Sequence, residues 1–493
     1  MTQSSLSSGV LDVVIVGAGF GGLCAAIQLL QQQPDLRFVI LEKNNEIGGT
    51  WYENSYPGAA CDVQSHLYSF SFAPKHDWSK RYAGWQEIQD YLLSCVEKFK
   101  LRRFIQFGQT VNRAIFDDET QLWNITTASG DSLAARHWIM ASGPLHVPQY
   151  PNIRGLEKFT GKVFHSARWD HQYDLQGKTV ASIGTGGSAV QYLPEIAPDV
   201  KKLHVFQRTG AWVIPRDERV YSDFSKQLFE KFSRFRQFHR ARLYWSNESR
   251  VWPIFNPKAA KGLQALATLF LKYQVKDPDT RRKLTPDYTI GCKRILISNK
   301  YYPTFNRDNV ELITDGIREI TATGIIDSTG KERQVDCIIL GTGFVTDPRH
   351  YLGSMEIRGE NGVQLLDTWK NGAEAFYGIN THGFPNFHLL LGPNTLLGHN
   401  SVVFMIECQV RYILSAMQLL KQQNARSLRI KPEVQESFNN WVQNSLKNTV
   451  WSSGCQSWYQ QADGKNFTIW PSSTWRYWLR TRQARAEDYE FIK

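Results

Sequence analysis

Three glycines near the start of the chain, Gly17-x-Gly19-x-x-Gly22, stand between a β-branched run (residues 11–16) and an apolar run (residues 23–30). At a strand-to-helix junction this spacing holds a pyrophosphate. The first glycine permits the tight turn, the second lets the backbone approach the phosphates, and the third lets helix and strand pack. Unpaired N–H groups at the helix start then receive the negative charge. Glu42 closes the next predicted strand (residues 37–41), twenty positions after Gly22. A carboxylate there accepts ribose hydroxyls and repels a 2′-phosphate, so the ligand is the ADP half of FAD or NAD and not NADP.

The pattern recurs. Residues 178–183 enter Gly184-Thr185-Gly186-Gly187-Ser188-Ala189, and a predicted helix follows through Val190, Gln191 and Leu193. The second strand of this unit (residues 202–206) ends in Gln207-Arg208-Thr209, with no acid. A guanidinium pairs with a phosphate in bidentate fashion and a threonine hydroxyl adds a donor, so Arg208 and Thr209 suit the 2′-phosphate of NADPH. One ribose-selecting fold and one 2′-phosphate-selecting fold can bring a hydride donor to a flavin.

Two such turns require two parallel sheets with helices on their faces, and 493 residues suffice for two or three domains. The expected class is α/β: two Rossmann-like dinucleotide-binding domains, for FAD and NADP, with a helical insert in the NADP domain. The expected segments are 1–148 (FAD), 149–216 (NADP), 217–287 (insert), 288–344 (NADP) and 345–493 (FAD). Strands are expected at residues 310–313, 336–340 and 387–391, and a helix from about Ser401. In the insert Leu228, Phe232, Phe235, Phe238 and Arg242 recur at helical spacing among Lys226, Lys231, Arg234, Arg236, Arg240 and Arg250. A helical lid over a substrate cavity with a solvated basic face is expected. A membrane-surface helix is the alternative, disfavoured for want of a lipidation signal.

Composition excludes more than it selects. A hydrophobic share of 42% and a charged share of 21% are those of an ordinary globular chain. The net charge of +11 comes without zinc-finger spacing or an RNA-binding signature, so cofactor phosphates account for it more simply than nucleic acid. The seven cysteines are dispersed, with no Cys-x-x-Cys pair, which argues against a disulfide framework, a metal site and a disulfide reductase. No basic-then-apolar leader stands at the N-terminus and no apolar run is long enough to span a bilayer, so a cytoplasmic protein is expected.

Residues 159–170 resemble the fingerprint of type I Baeyer–Villiger monooxygenases, Phe-x-Gly-x-x-x-His-x-x-x-Trp-(Pro/Asp). Phe159, Gly161, His165, Trp169 and Asp170 fill its defined positions. Residues 48–62, with Gly48, Gly49, Trp51, Tyr56, Pro57, Gly58 and Asp62, are similar to the same family's Gly-Gly-x-Trp-(x)4-Tyr-Pro-Gly-(x)3-Asp motif. With both dinucleotide turns, the resemblance spans essentially the whole chain. It implies a flavoprotein of the flavin-containing monooxygenase superfamily that uses NADPH and O2 to convert ketones to esters or lactones, with sulfoxidation as a side activity. In that family a C4a-peroxide of the flavin must stay anionic to attack the ketone, and a fixed cation stabilises it.

By the resemblance Arg294, in the pair Lys293-Arg294, is that cation, and Asp62 orients it. Lys293 is expected on the 2′-phosphate, and Gln191 at the NADP helix. Gly49, Thr50, Trp51 and Tyr68 are expected around the flavin and Val111 near its adenine. Trp458 belongs to a segment expected to close over NADP. His165 is expected to be structural or conformational. The rivals are an N- or S-oxygenating flavin monooxygenase and a non-enzymatic FAD/NADP-binding sensor.

Overall fold

Runs of Val, Ile and Leu without polar alternation must be covered on both faces, and parallel sheets between helices do that. The computed structural model describes residues 9–252, 256–447, 449–452, 454, 457–461 and 464–493. Leu11–Val16 is the axis of the first sheet, pairing in parallel with Phe38–Leu41 on one side and Ser132–Met140 on the other. Ile105–Gln106 extends this sheet beyond Phe38–Leu41, and Phe387–Leu389 joins Ser132–Met140 in parallel. The antiparallel strands Val111–Asp117 and Leu122–Thr127 continue the sheet beyond Ser132–Met140. Helices Phe20–Gln32 and Val402–Gln422 pack on each other in the core beside it.

The second sheet is wholly parallel. Its order is Val310–Ile313, Lys202–Phe206, Thr179–Ile183, Cys337–Leu340 and Lys162–His165. The strands foreseen at residues 310–313 and 336–340 thus complete the sheet begun at Thr179, on the far side of the insert. Two linkers join the sheets and pair with each other: Gln149 N–H donates to Gly343 O at 2.8 Å and Val345 N–H to Val147 O at 2.9 Å.

Several features depart from expectation. The fingerprint contributes Lys162–His165, the edge strand of the second sheet. An antiparallel three-stranded unit, Ile317–Ile320, Gly324–Asp327 and Glu332–Gln334, was unforeseen because short strands at a surface carry little apolar pattern. The insert's periodic run breaks at Phe232 (φ −115°, ψ 89°) into Asp223–Lys231 and Ser233–Glu248. Phe232, Phe235 and Phe238, whose spacing marks a face to be buried, are exposed.

Helix Val402–Gln422 is long and apolar enough to cross a membrane, contrary to the expectation that no run is; 61% of its apolar window is buried, as in a core helix. Cys24, Cys61, Cys95, Cys337 and Cys408 are free and buried, in line with the absence of a disulfide framework, but Cys292 is disulfide-bonded, which the spacing did not indicate. Separation along the chain says nothing about which cysteines meet in space. Cys455 and residues 1–8 lie outside the described residues.

Candidate active site

In the first turn Gly17 has φ +104°, and a Cβ there would lie 2.6 Å from Ala141 O at the end of the adjoining strand. A Cβ on Gly22 would collide with the Gly17 carbonyl, so only glycine lets helix Phe20–Gln32 sit this close to its strand. The Gly48-Gly49 turn folds over Gly19: Gly48 N–H donates to Ala18 O at 3.0 Å, and a Cβ on Gly49 would lie 3.1 Å from Gly19 Cα. Glu42 is buried, with Oε2 accepting from Ala18 N–H at 2.7 Å and Oε1 from Asn44 N–H at 2.9 Å. Burial pushes its carboxyl up against the pull of those two donors. Each oxygen keeps a lone pair for a ribose hydroxyl.

Helix Thr50–Glu53 brings the buried Trp51 beside Tyr68, Nε1 donating to the Tyr68 hydroxyl at 3.2 Å with the rings edge to face. Val111, also buried, opens strand Val111–Asp117.

The second turn repeats the first. Gly184 has φ +105°, and a Cβ there would collide with Gly341 O at the end of its neighbouring strand. Gly186, however, is open: a Cβ there meets nothing within 4 Å, where Gly19 has Gly49 across it. Ser188 leads into helix Ala189–Ile196, and Thr185 Oγ1 donates to Thr209 O at 3.3 Å. Gly187 faces Leu296 at the distance of ordinary contact.

Arg208 is exposed. Burial, then the neighbouring Arg208 guanidinium, holds the Lys293 ammonium below its ordinary range, against the pull of Asp287. Lys293 Nζ also lies 4.7 Å over the Tyr288 ring. A lysine whose charge is disfavoured by a neighbouring arginine fits a phosphate between the two.

Asp62 and Arg294, 232 residues apart, meet through one carboxylate oxygen: Arg294 Nε and Nη2 donate to Asp62 Oδ2 at 2.9 and 2.5 Å. Asp62 is the largest influence raising the Arg294 pKa, so the guanidinium stays charged at any working pH. Its Nη1 faces Leu397 O at 3.5 Å. The buried Tyr459 also hydrogen-bonds Arg294; burial pushes this phenol up to about 12, so it is neutral. Trp458 beside it is 37% exposed, and its carbonyl accepts from Thr346 in the linker between the sheets.

The two sequence motifs converge on helix Ala189–Ile196. Gln191 Nε2 donates to Ala60 O at 2.9 Å, while its Oε1 accepts from the Tyr56 hydroxyl at 2.9 Å and from Ala60 N–H at 3.3 Å. A Cβ on Gly58 would lie 2.8 Å from Gln191 O, so glycine there lets the two domains touch. Gln191, expected to hold cofactor, spends its amide on this interdomain clamp. From the other side Trp169 packs on Tyr192 at 5.5 Å and on Phe164 at 5.0 Å. Asp170 pairs with Lys162 on the edge strand.

A Cβ on Gly161 would press on the Phe159 ring and on Asp336 O, both at 2.6 Å. His165 is buried between Tyr150 and Phe344 of the two linkers, its Nδ1 accepting from Ala167 N–H at 3.1 Å. Burial holds it at a pKa of about 4, hence neutral. The fingerprint is architecture: it seats one domain and its linkers.

Sequence reasoning missed Tyr459 and a second group. Asn247 and Gln64 exchange amide hydrogen bonds at 2.8 and 3.1 Å, tying the insert to the Asp62 loop. Next to it buried Glu248 accepts from Asn400 Nδ2 at 2.7 Å and Thr474 N–H at 2.6 Å. Asn400 ties the insert to the loop whose Leu397 O faces Arg294, and Thr474 ties it to the start of helix Thr474–Arg480. An isolated Asn-Glu pair at a helix end carries no pattern, so only the fold could show it.

Residues 11–267 match the family model described as flavin-binding monooxygenase-like. A Baeyer–Villiger monooxygenase of Pseudomonas aeruginosa is 46% identical over 97% of this chain and 90% of its own length. A solved steroid monooxygenase bound to NADP superposes with a TM-score of 0.88 at 31% identity, covering 98% of this chain and 100% of that one. The solved enzyme OTEMO, in complex with FAD and NADP, gives 0.89 at 27% identity, covering 99% and 100%.

Proposed function

Because the chain belongs to the flavin-binding monooxygenase-like family, among its Baeyer–Villiger enzymes, we propose that it oxidises a ketone to an ester or lactone, consuming NADPH and O2. The observation that carries this reading is the Asp62–Arg294 pair. FAD, reduced by NADPH, supplies the activation of O2 that protein side chains lack. The chain supplies position and charge. Gly17, Gly19 and Gly22 seat the flavin nucleotide's pyrophosphate against the helix start, and Glu42 takes its ribose. Gly184, Gly186 and the N-terminus of helix Ala189–Ile196 seat the NADP pyrophosphate, with Arg208, Thr209 and Lys293 on the 2′-phosphate.

Negative charge grows on the carbonyl oxygen as a ketone is attacked. A guanidinium already fixed by Asp62 stabilises that charge without reorganising, which is the most effective form of electrostatic catalysis. Tyr459 stands against this cation, which keeps part of its surface open to the ligand. Tyr459 is a neutral phenol whose oxygen accepts from this guanidinium.

Arg294→Ala tests the assignment with two readouts. Loss of one such preorganised donor costs about 100- to 1000-fold in turnover. Ester formation should fall by that much while anaerobic flavin reduction by NADPH persists. Unchanged ester formation would remove Arg294 from the mechanism, and sulfoxides or N-oxides in place of esters from the unaltered protein would favour the oxygenation of soft nucleophiles.

A further inference from the structure

Apolar side chains left in water cost free energy unless something covers them, and a large exposed patch marks a surface meant for a partner. Among the described residues, ten of the seventeen large hydrophobic side chains that are exposed lie in the insert, at residues 220–273. The same segment, 217–287, holds fifteen Lys and Arg against eight Asp and Glu, a net +7 of the chain's +11. Apolar exposure and positive charge therefore coincide on one part of the molecule. A solvated basic face accounts for the cations but leaves the rings unexplained.

The patch is best defined on helices Asp223–Lys231 and Ser233–Glu248, which pack on each other through stacked Phe229 and Phe235. Phe224 is 74% exposed, Phe238 67% and Trp245 58%. Phe238 and Trp245 are seven residues apart on one helix and so share a face. Arg234 and Arg242, four residues either side of Phe238, are exposed and make no ion pair among the described residues. The inner side of the same helix is anchored: Leu243 is buried, and Arg240 donates to the carbonyls of His66 and Ser69. The rings are therefore held outward rather than turned out by chance.

We infer that the outer face of this insert docks on an anionic lipid surface. Aromatic rings that enter the boundary between headgroups and acyl chains, ringed by unpaired arginines that meet lipid phosphates and carboxylates, are the chemistry of interfacial binding. A second copy of the chain is a poorer occupant, since a two-fold contact through this face sets like charge against like. Single-stranded nucleic acid would use the rings for stacking, but the exposed aliphatic Val220, Leu266 and Leu269 of the same insert offer nothing to a base.

Cosedimentation of the full-length holoprotein with vesicles reads the inference directly. One set contains equal parts of phosphatidylcholine and phosphatidylserine, the other phosphatidylcholine alone. The protein should pellet with the anionic set. Binding should weaken by at least about tenfold in Arg234→Glu/Arg242→Glu, and in high salt. Phe238→Ser/Trp245→Ser should weaken it comparably, and that loss should persist in high salt. Both variants should keep NADPH consumption with a water-soluble ketone, which certifies their fold. Failure to bind either vesicle set, or equal binding by all three proteins, would overturn the inference. So would a concentration-dependent dimer, or binding to single-stranded RNA, that these substitutions abolish in the absence of any vesicle binding.

Discussion

The two dinucleotide turns share a plan, close on different third residues (Gly22 and Ala189), and diverge at two further points. In each, the first glycine takes a φ near +105° and backs onto a carbonyl at the end of a neighbouring strand, Ala141 O in one and Gly341 O in the other. The first divergence lies above the second glycine: Gly19 is closed over by Gly49, and Gly186 faces open space. The second lies at the end of the second strand. Glu42 is buried and accepts hydrogen bonds, whereas Arg208 is exposed and shares its surroundings with Lys293. A closed, acceptor-lined site suits a ligand that stays. An open, cationic one suits a ligand that arrives and leaves with every turnover.

The largest way to break this comparison is to add one methyl group to each turn. Gly22→Ala drives a Cβ into the Gly17 carbonyl and should abolish flavin retention, read as loss of visible absorbance after gel filtration. Gly186→Ala meets no protein atom within 4 Å and should keep its flavin, with only KM for NADPH raised. Flavin loss in Gly186→Ala as well would show that the added methyl acts through the fold rather than at its own nucleotide turn.

Next in size is the cationic end. Arg208→Ala should raise KM for NADPH by about 10- to 100-fold, the worth of one charge-assisted contact, with kcat nearly unchanged and NADH oxidation barely affected. An equal loss with NADH would place Arg208 away from the 2′-phosphate. At the opposite end, Glu42→Gln removes charge and keeps shape. Flavin affinity should fall by about tenfold, measured by titrating apoprotein with FAD, with KM for NADPH unmoved.

The smallest effect is shared by both domains. His137 and His165 are buried and held at about 4, below the unfolded value of about 6.5. Between these values the unfolded chain binds more protons than the folded one, so stability falls as pH drops from about 6.5 towards 4. A midpoint a few degrees lower at pH 5 than at pH 7 is expected by calorimetry. A midpoint that rises on acidification would contradict the burial of these rings as neutral groups.

Much of this was legible in the sequence because backbone geometry dictates residue type. Gly17 and Gly184 need a positive φ, Gly22 needs the absence of a Cβ, and buried parallel strands need β-branched runs. Glu42 and Arg208 follow because the end of the second strand meets the ribose in any such fold. The meeting of Asp62 with Arg294 was reachable only through the family resemblance, since nothing local relates residues 232 apart. Tyr459, Gln64, Asn247 and Glu248 act through contacts between distant loops and have no pattern at all. The insert is helical, as its spacing indicates, but periodicity at Phe232, Phe235 and Phe238 does not say what covers that face, and among the described residues nothing buries it.

The central claim, that the two sites cooperate to oxidise a ketone, is tested most directly by its products. The purified holoprotein is to be incubated with NADPH, isotopically labelled O2 and a panel of linear, cyclic, aromatic and steroidal ketones, and the products resolved by mass spectrometry. The expected result is an ester or lactone carrying one labelled oxygen per NADPH consumed. NADPH oxidation that yields only hydrogen peroxide, with every ketone in the panel recovered unchanged, would contradict it.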